Sequence, residues 1–273
     1  MEGRARSPSR PNFYDNRLAR RSSPTNLIIS KYINKMRKPF LLILSSSVLA
    51  LSSVSAGEFG ELIFYDTFDR SESQELKDEP GNEWTTSSDR TANGHKEVDL
   101  RDGHVYIYTH AEANHATSFR HAFEFQDGTI GLRFMFDDED DELTLNFADL
   151  ELKSVHAGHL FKVTIGTRKI SITDQKTGQM DLAIRNARND GGLTKKQEAL
   201  VASKSISLPN TLETNHWYQV HATVIDDELI CAIDGKVVGS FKSEGFAHPT
   251  KRLLRLLVPN NAHVDDVNIW RQR

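Results

Sequence analysis

From residue 104 onward the chain keeps returning to a period of two. In "GTIGLRFMF", Ile130, Leu132, Phe134 and Phe136 alternate with Thr129, Gly131, Arg133 and Met135. In "ELTLNFADL", Leu143, Leu145 and Phe147 alternate with Thr144 and Asn146. "HLFKVTIG" sets Phe161, Val163 and Ile165 against Lys162 and Thr164, and "RKISITD" continues the pattern through Ile170 and Ile172. Successive side chains of a strand point to opposite faces, so each segment reads as a strand with one dry face and one polar face. Gly and Asp collect at the joins, as in "DDEDD", "TGQ" and "DGK". Many short strands of this kind predict an all-β chain: two antiparallel sheets packed face to face as a sandwich.

The C-terminal third repeats the pattern. Trp217, Tyr218, Val220, Ala222 and Val224 make one strand, Asp226–Asp227 turns the chain, and Leu229, Cys231 and Ile233 make the next. Asp234–Gly235–Lys236 is a hairpin turn. "KRLLRLLV" and "VDDVNIW" add two strands. Cys231 is the chain's one cysteine, so no intrachain disulfide forms, and its apolar neighbours mark it as a core residue. One stretch breaks the rhythm: about residues 181–204 favour helix, with Thr194 and Gln197 spaced as a capping box. Leu193, Leu200 and Val201 are expected to dock this helical insertion on a sandwich edge.

Charge divides the chain. Residues 1–38 carry a net +8, which leaves −12 on the remainder of a chain whose total is −4. An acidic body argues against nucleic acid as a ligand, because phosphate binding needs a basic face. "MRKPFLLILSSSVLALSSVSAGE" has Arg37 and Lys38 before an apolar run, then a small-x-small "VSA" ending at Ala56. Residues 36–56 therefore read as a secretory signal peptide, and contact with a membrane is expected only if that segment stays uncleaved. Residues 1–35 read as a disordered basic extension or a mis-assigned start. Residues 57–273 are expected to form a single domain, secreted or held in the periplasm or cell envelope. Oligomeric state is not legible.

"HVYIYTH" holds the most suggestive surface. His104, Tyr106, Tyr108 and His110 fall on one face, while Val105 and Ile107 face the core. A strip of aromatic and imidazole rings on a polar sheet face suits the stacking of sugar rings. Arg133, Asn146, Lys162 and His221 lie opposite their strands' apolar sets and are expected to add hydrogen-bonding groups beside the strip. His156 and His159 lie three apart, but no third ligand stands at metal-site spacing.

The order of the C-terminal strands resembles that of concanavalin A-like (laminin-G-like) jelly rolls: a Trp-led strand, a strand ending in Asp-Gly, a short return strand and a final "DDV.I". "LIFYDTFDRSES" and "NEWTTSSD" are similar to the openings of such proteins, so the resemblance spans most of Glu61–Trp270. It implies a two-sheet antiparallel jelly-roll sandwich with a short helical insertion. The nearest kin it suggests are secreted bacterial proteins of planctomycete type and 3-keto-disaccharide hydrolase-like domains. Retaining glucanases of this superfamily carry Glu-x-Asp-x-(x-)Glu on one strand, with carboxylates about 5–5.5 Å apart. The dense acidic run here, Asp137–Glu142, offers Glu139 and Asp141 but then Leu143 and Thr144, so it reads as a solvated loop. The resemblance also implies one structural Ca²⁺ where the first and last strands meet, with Asp66, Asp69, Asp265 and Asp266 as candidate ligands; no other cofactor is implied. The expected function is a non-catalytic carbohydrate-binding or cell-surface module with a glycan or polysaccharide partner and no catalytic residues. The alternatives are a 3-keto-disaccharide-type hydrolase and a structural envelope protein without a small ligand.

Overall fold

The computed structural model describes residues 59–272. The expected extension (1–35) and signal segment (36–56) lie outside the described residues. The strands are β1 (Glu61–Asp66), β2 (Val98–Arg101), β3 (His104–Tyr108), β4 (Thr117–Phe125), β5 (Gly128–Met135), β6 (Glu142–Ala148), β7 (His159–Gly166), β8 (Lys169–Asp174), β9 (Ser205–Pro209), β10 (Tyr218–Ile225), β11 (Glu228–Ile233), β12 (Lys236–Lys242), β13 (Lys251–Val258) and β14 (Asn261–Arg271). Three short α-helices accompany them, α1 (Ser88–Thr91), α2 (Leu182–Asn189) and α3 (Lys195–Ser203), with a 3-10 turn at His156–Gly158.

The strands form the two antiparallel sheets that the alternation predicts. An eight-stranded sheet runs β12-β11-β10-β5-β14-β3-β2, with β1 also on β14, and a six-stranded sheet runs β4-β13-β6-β7-β8-β9. One edge of β14 pairs with β5; the other pairs with β3 through Asn261–Val264 and with β1 through Val267–Arg271. A bulge interrupts the β5 pairing between Asp265 and Asn268, where Asp266 has φ of 48°. Two-residue Asp-Gly turns close the β2–β3 and β11–β12 hairpins. Both residues have positive φ in Asp102–Gly103 (52° and 72°) and Asp234–Gly235 (44° and 79°). Glycine and aspartate tolerate this left-handed backbone, which matches the twist of the strands.

The core lies between the sheets. Val105, Ile107, Leu132 and Phe134 from one side meet Leu145, Phe147 and Leu256 from the other. Cys231 is wholly buried there, and burial pushes its thiol up to about 12, so it is an inert packing residue. The helices interrupt the path from β8 to β9. Asp181 caps α2 by accepting from the N–H groups of Ala183 and Ile184, and Thr194 and Gln197 form the reciprocal box that starts α3. The expected docking is partial: Leu193 and Val201 are half-buried, Leu200 is 41% exposed, and α3 fully buries none of its residues. Charged Lys195, Lys196 and Glu198 surround its first turn, so the cap and not apolar packing specifies this helix. Among the described residues no helix is long and apolar enough to cross a membrane.

Candidate functional site

Strand register builds a platform on the outer face of the eight-stranded sheet. Val105 and Ile107 are fully buried, so His104, Tyr106 and Tyr108 face outward, each half-buried. Tyr106 lies opposite His263 of β14, and His263 opposite Met135 of β5. Trp217 stands just before β10, next to this row. Asp265 pairs with Arg133, and Arg133 with Gln219. The rings touch: Tyr106 stacks on Tyr108 at 5.5 Å, lies 4.7 Å from His263, and carries the Arg101 guanidinium 3.6 Å above its ring. Arg133 sits 4.8 Å from the Trp217 ring, whose edge meets His104 at 5.4 Å.

Hydrogen bonds hold these rings in place. His104 Nε2 is 2.8 Å from His263 Nδ1, and His263 Nε2 is 3.0 Å from an oxygen of Asp137. One proton bridges His104 Nε2 and His263 Nδ1, and the His263 Nε2–H donates to the Asp137 carboxylate. Burial, then the neighbouring His263, lowers the pKa of His104 and keeps it neutral at pH 7. Tyr106 donates its hydroxyl to Asn261 at 3.0 Å. Beside Asn261, the β5–β6 and β13–β14 loops enclose a depression of about 600 Å³, lined by Thr109, Asp138 to Asp141, and Pro259 to Asn261. The acidic run that forms its rim is not wholly solvated as expected. Asp141 is buried because its carboxylate accepts from the N–H groups of Asp137, Asp138 and Asn261.

Asp265 is the platform's most perturbed group. Burial, then the charge of Asp266, raises its carboxyl to about 6 against the pull of Arg133 3.2 Å away. A raised carboxyl binds its proton more tightly when folded, so stability falls as pH rises between about 4 and 6 and stays reduced above. Asp265→Asn is therefore expected to stabilise the fold at pH 8 by about 1 kcal/mol and to change little at pH 4. Urea denaturation at the two pH values checks this; equal effects at both would refute it.

The expected site residues do not all converge. His110 lies past the end of β3, where its ring stacks on His95 at 4.1 Å, so it leaves the strip. His221 lies on the correct sheet face but is 3% exposed, because Phe59 stacks on it at 4.9 Å and Trp270 packs beside it. Asn146 and Lys162 belong to β6 and β7, so they face outward on the opposite side of the sandwich. The platform uses Arg101, Asp137, Trp217, Asn261, His263 and Asp265, which strand alternation alone did not single out.

Of the four expected calcium ligands, Asp265 and Asp266 lie 3.2 and 3.6 Å from Arg133 and the charge of Asp69 reaches Asp265, while Asp66 is engaged separately. β1 and β14 do pair, but Asp66 is occupied: it accepts from Phe68 N, Arg70 Nη1, Asn82 Nδ2 and Trp84 Nε1 at 2.7–3.0 Å. Among the described residues, Glu72, Glu75 and Asp99 have carboxylate oxygens close enough to share a cation. Lys96 Nζ already lies 2.7–2.8 Å from all three. His156 and His159 do not share a ligand position either, since His159 Nδ1 lies 2.9 Å from Asn146 Oδ1 and 3.0 Å from Arg255.

The two-carboxylate arrangement of retaining glucanases is missing from β6. Its outward residues begin at Glu142 and continue with Thr144 and Asn146. Thr144 is bonded to Thr164 at 2.8 Å and Asn146 to Gln175 at 2.6 Å, so one carboxylate remains where double displacement needs two.

No protein-family model and no curated protein matches the sequence. Solved structures match the fold. SCLam, a non-specific endo-β-1,3(4)-glucanase from family GH16, aligns with a TM-score of 0.52 at 12% identity, over 78% of this chain and 91% of that one. The Bacillus licheniformis β-glucanase gives 0.52 at 9% identity, over 78% and 99%. The laminarinase from Flavobacterium sp. UMI-01 gives 0.50 at 10%, over 77% and 100%. At such identities the likeness is one of fold, and the fold is a concanavalin A-like jelly-roll sandwich.

Proposed function

We propose that the protein is an exported carbohydrate-binding module that holds a glycan on the outer face of its eight-stranded sheet. The observation that carries this reading is the platform itself. Half-exposed rings of Tyr106, Tyr108 and Trp217 offer faces and edges for the apolar side of a sugar ring. His104, His263, Arg133 and Asp265 offer donors and acceptors within the same rows. Their mutual bonds hold the rings before any ligand arrives, which limits the ordering cost of binding. The fold neighbours are by name a glucanase, a β-glucanase and a laminarinase, so β-glucan is the first ligand to test. The reading places the protein outside the cytoplasm, in the periplasm or envelope or beyond it. The Lys96 ammonium already occupies the centre of the Glu72–Glu75–Asp99 set, and the platform itself includes none of these three carboxylates.

The test is a glycan array and a titration with laminarin, comparing wild type with Tyr106→Ala/Tyr108→Ala. Loss of both rings is expected to weaken binding by about tenfold to a hundredfold, on stacking energies of about 0.5–1.5 kcal/mol per ring. Unchanged affinity in a folded double variant would remove the platform from the account. A second reading, a hydrolase of the 3-keto-disaccharide type, draws on the same half-enclosed row: Asp265 lies 3.2 Å from Arg133, and burial raises its carboxyl to about 6, toward the range of a general acid. Glycan cleavage that disappears in Asp265→Asn would replace binding with catalysis.

A further inference from the structure

The other outer face, that of the six-stranded sheet, carries a different chemistry. Register places Arg120 of β4 opposite Arg255 of β13, Arg255 opposite Asn146 of β6, and Asn146 opposite Lys162 of β7. The row continues through Thr173 to Ser205. Like charges directly opposite each other in a sheet are destabilising, and buried cations are normally paired with carboxylates. Buried Lys96 follows that rule, and the more exposed Arg133, Arg252 and Arg271 also meet acidic partners.

Here the chain does not follow it. Arg255 is only 7% exposed, and its guanidinium donates to neutral groups: Ala157 O at 2.7 Å, His159 Nδ1 at 3.0 Å and Asn146 Oδ1 at 3.3 Å. Arg120 donates to Ser118 Oγ at 2.8 Å. Burial lowers the pKa of Arg255 to about 10 and that of Arg120 below its usual value; the charges that add to these effects are Arg120 and Arg90 respectively. Burial, then Arg255, His156, Lys162 and Arg120, pushes His159 down to about 3. Lys162, half-buried, is also lowered by burial, with Glu142 and Lys169 acting in opposite senses. A chain with a net −12 beyond residue 38 thus gathers cations that, among the described residues, form no ion pair with a carboxylate, Glu142 being the acidic charge that reaches Lys162.

We propose that this row is a second binding site, which takes the carboxylate or sulfate groups of an acidic glycan between Arg120, Arg255 and Lys162. An oxyanion would supply the missing counter-charge and accept from two or three of these donors. The neighbours suit sugar hydroxyls: Thr173 and Ser205 lie in the same row, and Thr164, Ser171 and Ser207 in the next. With strands about 4.8 Å apart, Arg120 and Lys162 lie about 14 Å from each other across the sheet, room for a few sugar units. A nucleic acid fits less well, since the acidic remainder of the chain would repel a polyphosphate.

The test uses the full chain with five probes: polygalacturonate, a sulfated galactan, laminarin, sodium sulfate and a single-stranded oligonucleotide. At least one acidic polysaccharide is expected to bind, more weakly as salt rises, with laminarin insensitive to changes at this face. Arg120→Gln/Lys162→Gln is expected to lose about tenfold or more in affinity. Tyr106→Ala/Tyr108→Ala should leave this binding intact, since the platform lies across the sandwich, so either site can fail without the other. Lys162→Glu provides a second measurement: it is expected to abolish binding while raising the Tm of the free protein, because it supplies the absent carboxylate. The proposal is overturned if neither acidic polymer binds at low salt, if the double variant binds as wild type does, if sodium sulfate protects but no polymer binds, or if the oligonucleotide binds most tightly.

Discussion

Lys96→Met is expected to cost about 3–5 kcal/mol, a large part of the roughly 5–15 kcal/mol that holds a typical domain together. Lys96 is 8% exposed, and its ammonium donates to Glu72 at 2.8 Å, Glu75 at 2.7 Å and Asp99 at 2.7 Å. The Glu72 side chain is only 2% exposed and also accepts from Leu100 N–H. Burial, and with it the neighbouring Asp99, raises the Glu72 carboxyl, and Lys96 is first among the groups that oppose it. Without the ammonium, a buried carboxylate faces two others with nothing between them. The expected readout is a lower urea midpoint at pH 7, with a smaller deficit at pH 4, where protonation relieves the repulsion. Added Ca²⁺ should rescue the variant more than the wild type, because the three carboxylates then form an open cation site. A deficit below about 1 kcal/mol at pH 7 would mean that the cluster behaves as a solvated surface network.

The second large effect is expected at the start of the sandwich. Asp66 accepts from a backbone N–H and three side chains, and Trp84 and Phe68 beside it pack on Phe119 at one end of the core. Asp66→Ala strands buried donors on several residues at once, at about 1–3 kcal/mol each and less than additively, for a total of about 4 kcal/mol. Trp84→Phe removes one of those bonds and keeps the ring, so about 1 kcal/mol is expected there. Burial works to raise the Asp66 carboxyl, but hydrogen bonds from Arg70, Asn82 and Phe68 outweigh it and hold the group below its ordinary value. The stability it contributes is therefore fully present above the unfolded-state pKa and is lost as pH falls through the lower folded value. Acid titration of wild type and Asp66→Ala should converge at the acidic end; curves that stay parallel would assign the cost to packing alone.

The alternation of Val105 and Ile107 with Tyr106 and Tyr108 gave their inward and outward directions directly, and Asp234–Gly235 gave its hairpin. What alternation cannot give is which of two outer faces a strand contributes to. Asn146 and Lys162 have the same signature as Tyr106, yet they stand on the far side of the protein, because β6 and β7 belong to the other sheet. His221 shows a further limit: its position is polar-facing by period, but Phe59 and Trp270, distant in sequence, close over it. Arg255 was illegible for a related reason. Inside "KRLLRLLV" it is one of two arginines among leucines, and its significance appears only once register sets Arg120 on one side and Asn146 on the other. The frame of the acidic run was legible, since "ELTLNFADL" begins at Glu142 as β6 does; the burial of Asp141 was not, because its partners include the distant Asn261 N–H.

The long final strand has a consequence for how the chain reaches this structure. β14 supplies edge partners to β1, β3 and β5, and β13 likewise joins β4 to β6. During synthesis neither sheet is continuous until residues 251–271 emerge, so early strands wait with open edges for partners up to about two hundred positions away. Such sequence-distant pairing makes folding slow, and the waiting chain is the species most exposed to misassembly or to capture by a chaperone.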